Sequence, residues 1–100
     1  MELKGKQYTV TATAATLTSI LSLTDDRRFQ QIDFFNDNGS TGSVYLGAST
    51  VTNVPANAFV EMQPGKGYSI GPLASGFVHS DSVYVVGTAA DILYISAVPF

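Results

Sequence analysis

The chain contains no cysteine, which excludes a disulfide framework and any thiolate metal site. Tryptophan is absent and histidine occurs once, as His79. The strongest sugar-stacking side chain is therefore missing, and one imidazole is too few ligands for a metal site, which needs several converging on it. Charge is scarce as well: Asp, Glu, Lys and Arg make up 13% of the residues, against a usual value of about 25%. The net charge of −3 and a pI near 4.7 have the wrong sign for a general nucleic-acid binder, which needs a basic stripe. Arg27-Arg28 is a basic pair in a folded-looking region, and Asp25-Asp26 precedes it directly. No run approaches the ~18–20 consecutive apolar residues of a membrane span. The opening MELKGKQYTV has no apolar stretch behind its lysines, so no signal peptide is expected.

In place of charge the chain uses Thr, Ser, Ala, Gly and Asn, with an ordinary hydrophobic fraction of 45%. This is a β-rich composition with a weakly charged surface, which a partner covers at lower desolvation cost than one rich in Lys and Glu. One hundred residues suit a single domain and bury roughly 65% of the extended chain's surface, enough for one core without staples. Residues 1–6 read as a polar N-terminal arm and residues 7–100 as the domain.

Hydrophobic periodicity places the elements. Tyr8, Val10 and Ala12 alternate with Thr9, Thr11 and Thr13, a strand pattern. A second strand is expected to follow with Leu17, Leu21 and Leu23 inward. A helix over Ala12 to Ser22 competes with it, and the many Thr residues disfavour that helix. Thr24 to Arg28 is a charged turn. In the stretch Phe29 to Gly47, Ile32 and Phe34 precede a Gly-rich loop, and Val44 and Leu46 follow it. That predicts a hairpin with Phe34 opposite Val44, Ile32 opposite Leu46 and Asp33 opposite Tyr45. A loop over Ala48 to Asn57 leads to a short strand, Phe59 to Met62. Gln63 to Gly67 reads as a hairpin turn before Tyr68 to Ile70, and Leu73 to Ser80 reads as irregular. Val83 to Val86 and Ile92 to Ile95 predict a second hairpin, with Val85 opposite Leu93. About seven or eight short strands with regular turn signals indicate an all-β fold, a single antiparallel β-sandwich of jelly-roll-like type.

Little in this pattern carries chemistry. Ser80, Asp81 and Ser82 follow His79, but neighbours in a strand point to opposite faces and make no triad by themselves. Asp37, Asp81 and Asp91 sit beside turns, where Asp caps backbone N–H groups, and Asp33 lies mid-strand on the outer face. Asp37-Asn38-Gly39-Ser40 lacks the spacing and terminal Glu of a calcium loop. Pro64-Gly65-Lys66-Gly67 lacks the phosphate-loop spacing. No catalytic residue, cofactor or metal is expected. Tyr45, Tyr68, Tyr84 and Tyr94 could form an aromatic platform for sugar, which requires Tyr45 and Tyr68 on one concave face. Outer-face aromatic residues and the apolar chain end instead suggest association. The expected interface residues are Lys4, Lys6, Phe35, Tyr45, Tyr84, Tyr94 and Phe100.

The order IDFFNDNGSTGSVYLGAS, VEMQPGKGYSIGP, SVYVVGTAADILYISAV, over about Phe29 to Val98, resembles the small β-sandwich structural proteins of tailed bacteriophages. Within that group a chain of this length is similar to capsid decoration, or cement, proteins. The resemblance implies a non-enzymatic virion protein, made in the host cytoplasm and bound to the outer capsid surface. Its partner would be the major capsid protein, bridged by a homo-oligomer with a trimer favoured, and the polar arm would suit clamping. No nucleic acid or membrane is implied. The alternative within the same group is a tail, neck or fibre-associated module that binds carbohydrate or a receptor.

Overall fold

Alternating β-branched and aromatic residues form nine strands in the computed structural model, which describes residues 4–54, 57–71 and 78–99, the Lys4 side chain excepted. The order is β1 (Lys4–Thr9), β2 (Ala15–Thr16), a helical turn α1 (Leu17–Ile20), β3 (Arg28–Asn36), β4 (Val44–Gly47), β5 (Val60–Met62), β6 (Gly67–Ile70), β7 (Val78–His79), a 3₁₀ turn (Ser80–Ser82), β8 (Tyr84–Val86) and β9 (Ile92–Pro99). One sheet, A, runs β1-β9-β3-β6, with β7 also paired to β3; the other, B, runs β2-β8-β4-β5. Every pairing among the described residues is antiparallel.

β9 lies along one edge of β3, so β6 and β7 share the other, at Ile32–Phe35 and Arg28–Phe29 respectively. Counted as one interrupted strand, they leave a long antiparallel ribbon in which the first strand pairs the last, the second the next-to-last, and so inward. Rolling that ribbon up adds the contacts β3·β9 and β4·β8. The result is the jelly-roll sandwich.

The core lies between the sheets. Ile32, Phe34, Val44, Leu46, Val83, Val85, Leu93 and Ile95 are all buried in it, on the faces their alternation predicted. The two predicted hairpins are nevertheless corrected. β3 belongs to sheet A and β4 to sheet B, and β8 and β9 are likewise divided. Alternation specifies which side of a strand is apolar, and it is the same whether two strands lie side by side or face each other across a core. The seven residues 37–43 exceed the usual hairpin loop, and they arch from one layer to the other. The turn at Gln63–Lys66 forms as expected, with a Lys66 N–H to Gln63 O bond of 3.0 Å and Gly65 at φ +79°. It too crosses between sheets rather than closing a hairpin.

Two further expectations change. The predicted arm is part of the domain from Lys4 onward, because the free edge of β9 takes Lys4 opposite Ala97 and Lys6 opposite Ile95. Lysine suits that edge position, where it discourages further strand pairing. The strand expected over Leu17 to Leu23 is instead the helical turn α1. Thr16 caps it by accepting from the Ser19 N–H at 3.2 Å, a cap that satisfies an otherwise unpaired donor. Leu17 and Ile20, three residues apart, are both buried by it. The stretch expected to be irregular, Leu73 to Ser80, lies mostly outside the described residues.

Candidate functional site

Each end of the roll is held by a carboxylate. At one end Asp91 is nearly buried. It accepts from the Thr41 N–H (2.9 Å), the Gly42 N–H (3.0 Å) and the Thr41 hydroxyl (3.1 Å), joining the β3–β4 and β8–β9 crossings. Burial raises its pKa, but the bonds from Thr41 and Gly42 outweigh that and hold the carboxyl below its ordinary value. At the other end Asp26 accepts from the Asp81 N–H (3.0 Å) and the Ser80 hydroxyl (3.3 Å) on one oxygen and meets His79 Nδ1 at 2.5 Å on the other. The Asp81 N–H is the largest cause of its lowered pKa; burial opposes it, and His79 and Ser80 add to the lowering. Thr18 of α1 joins this group through Ser80 at 2.6 Å and through Asp81.

These groups brace loops. A triad needs the histidine between serine and carboxylate, whereas here the Asp26 carboxylate lies between Ser80 and His79. Ser80 is fully buried. Asp37 turns back on its own loop, accepting from the Gly39 N–H at 2.9 Å, and takes the Tyr94 hydroxyl at 3.3 Å. That carboxylate pushes the Tyr94 pKa up. Among the described residues no group of three or more acidic, His or Cys side chains could hold a metal ion.

The expected interface residues part company across the two sheets. Tyr45 points outward from sheet B, as the alternation predicted, yet it is only 8% exposed. The β4–β5 connection folds over that face in its described residues, 48–54 and 57–59, so that Val51, Val86 and Tyr45 form a second small core with Ala58 and Tyr84 against it. The expectation that Tyr45 needs a partner chain to cover it is therefore corrected. Gly47 makes the covering possible: a Cβ there would stand 2.7 Å from Val51. Tyr68 lies in sheet A, so the platform requiring Tyr45 and Tyr68 together does not form. Lys6 is exposed on β1. The Lys4 side chain and Phe100 lie outside the described residues.

Sheet A has no such cover among the described residues, and its outer face carries Phe35 and Tyr94, each 41% exposed. They are cross-strand neighbours with ring centroids 6.5 Å apart. Register arranges this face in rows across the strands. The aromatic row reads Gly67, Phe35, Tyr94, Gln7; the next reads Ser69, Asp33, Ser96, Gly5; Gln31 and Val98 stand opposite each other beyond. The middle row consists of short side chains, which leaves a shallow trough between β3 and β9 beside the Phe35–Tyr94 pair, lined by Asp33, Phe34, Phe35, Tyr94, Ile95 and Ser96. In its floor Asp33 accepts from the Ser69 hydroxyl at 2.6 Å and from the Gln31 amide at 3.2 and 3.3 Å.

Sequence reasoning singled out Phe35, Tyr94 and Asp33 separately and missed Ser69, Ser96 and Gly5. Alternation along β9 does put Tyr94, Ser96 and Val98 on one face. Which residues of other strands complete each row depends on pairings across some sixty residues of chain, such as Asp33 with Ser96. No protein-family model matches the chain, and neither does any curated protein or any solved structure.

Proposed function

We propose that this chain is a non-enzymatic structural protein of a virion, a capsid decoration protein that binds the outer head surface and stabilises it by bridging subunits of the major capsid protein. The observation that carries the reading is the loop over sheet B. It presents Val54 and Phe59, at 46% and 55% the most exposed large apolar side chains described. Its described residues are braced by Val51 in the second core, by the Asn57 N–H to Val54 O bond (3.2 Å), and by the Asn57 amide on the Thr52 hydroxyl (2.7 Å). Apolar side chains carried on braced residues lose less entropy on docking than freely moving ones. One such loop falls well short of the ~800 Å² a partner gives to a standard interface, so repeated attachment is needed. A homotrimer supplies it by avidity, and each trimer then ties several capsid subunits together.

The jelly-roll order, the weakly charged surface and the resemblance of residues 29–98 to small phage β-sandwich proteins all favour this reading. Fold alone would not, since one architecture serves many functions. The test is co-sedimentation of the purified chain with empty heads of its virus, alongside light scattering for its mass. Binding as an oligomer, weakened in Phe59→Ala and Val54→Ala, is expected. A strict monomer that never binds heads would end the proposal. A tail, neck or fibre position is the alternative, separated by labelling the chain in intact virions.

A further inference from the structure

Asp37-Asn38-Gly39-Ser40 opens the crossing from β3 to β4, and capsid attachment makes no use of its chemistry. We propose that Asn38 is a site of spontaneous deamidation, at which the Asn38–Gly39 link converts to aspartate and isoaspartate at a rate that Asp37 holds down.

The residue types come first. Ring closure brings the backbone nitrogen of the following residue onto the asparagine Cγ. A following side chain obstructs that approach and stiffens the backbone, and glycine has none. Asn is followed by Gly at this one place in the chain; Asn36 precedes Asp37, Asn53 precedes Val54 and Asn57 precedes Ala58. The fold separates them further. Asn36 is fully buried, with its amide on the Gly42 and Met62 carbonyls at 3.1 and 2.9 Å. The Asn57 amide is held on the Thr52 hydroxyl at 2.7 Å. Asn38 and Gly39 are both exposed. The Asn38 side chain reaches toward the β5–β6 turn, where a Cβ on Gly65 would collide with its Oδ1.

The reaction balances with water alone. The Gly39 nitrogen adds to Asn38 Cγ, the Cγ–Nδ2 bond breaks, and ammonia leaves with the proton that nitrogen gave up. The cyclic imide then takes up water at either carbonyl. Opening at Cγ leaves aspartate in a normal main chain. Opening at the other carbonyl sends the main chain through Cβ and Cγ, as isoaspartate.

Deprotonation of the Gly39 N–H is the gate. That N–H donates to Asp37 Oδ2 at 2.9 Å, and the Ser40 N–H to Asp37 O bond of 3.0 Å closes the turn around it. Attack requires the first bond to open, and a carboxylate beside the nitrogen opposes negative charge growing there. Closure therefore proceeds from the locally opened turn. Its product weakens this end of the roll. Isoaspartate inserts an extra carbon into the main chain before Gly39, and the Thr41 and Gly42 N–H groups that bind Asp91 (2.9 and 3.0 Å) lie just beyond. Aspartate adds a charge without lengthening the chain.

The test is incubation of the full-length chain at mildly alkaline pH, followed by peptide mass spectrometry and enzymatic labelling of isoaspartate. Conversion confined to Asn38 is expected, with Asn36, Asn53 and Asn57 keeping their amides. Gly39→Ala should slow it at least tenfold. Asp37→Ala should quicken it at least threefold, whereas Thr16→Ala, which weakens the fold at α1, should leave the rate unchanged. The isoaspartate form, isolated by ion exchange, should unfold at lower urea than Asn38→Asp. An Asn38 that stays intact in the folded chain, faster conversion at Asn53 or Asn57, or a rate unmoved in Asp37→Ala would overturn the proposal. Head binding by fresh chain is read separately, so the two proposals fail independently.

Discussion

Replacing Gly47 by alanine adds one methyl group where the covering loop meets sheet B. The new Cβ would sit 2.7 Å from both Cβ and Cγ2 of Val51 and 3.4 Å from the Asn57 carbonyl. Val51 is branched at Cβ and cannot swing its near end away, so the loop itself must lift. Overpacking of this kind costs about 1–3 kcal/mol. If Val51 leaves its pocket altogether, the loss is that of a buried Val side chain, about 1.5–3 kcal/mol, and Tyr45 and Val86 become wet as well. We expect a destabilisation of about 2–3 kcal/mol, a fall in Tm of roughly 8–24 °C for a domain of this size. The identical change at Gly5 is the internal control. A Cβ there meets nothing within 4 Å, and Gly→Ala in a compatible backbone stabilises by up to about 1 kcal/mol through the unfolded state. Thermal unfolding followed by circular dichroism gives both values, and limited proteolysis of residues 48–59 reports loop lifting directly. A Gly47→Ala variant as stable as Gly5→Ala, with its loop equally protected, would refute the claim that this loop is packed on the sheet.

Asp91→Ala leaves the Thr41 and Gly42 N–H groups without their acceptor, and should cost about 3 kcal/mol in urea unfolding. Acid should loosen both ends of the roll. Asp26 and Asp91 have depressed folded-state values, so the stability they contribute is fully present above the ordinary carboxyl value of 3.8. It is lost as pH falls through the folded-state values, and Asp91→Ala should flatten the stability–pH curve in that window when unfolding is measured at stepped pH. Thr16→Ala removes the cap of α1 and should cost about 1 kcal/mol, read as a shift in the urea midpoint at unchanged slope.

How much of this was legible in the sequence depends on the distance over which each feature is decided. The inward faces were readable from Ile32, Phe34, Val85 and Leu93, because alternation is local and a one-residue slip would expose them all. Partners were not. Val44 follows Phe34 after a loop, and nothing local says whether it lies beside Phe34 or across the core from it. Phe35 and Tyr45 look alike as outer-face aromatics, yet Tyr45 is covered because Val51 reaches back over sheet B, while Phe35 stays open. The cap that turns Leu17–Ile20 into a helical turn was present as Thr16 and Ser19, but the surrounding Thr residues spoke for strand. The trough was the least legible feature, since its rows exist only once β1, β9, β3 and β6 are in register.

If the chain decorates a capsid as proposed, cryo-electron microscopy of that virion tests the proposal most directly. The expected result is copies of this jelly roll on the outer surface of the head, grouped around symmetry axes, with Val54 and Phe59 toward the major capsid protein. Copies confined to the tail or fibres, or a loop over sheet B that faces solvent in every copy, would contradict it.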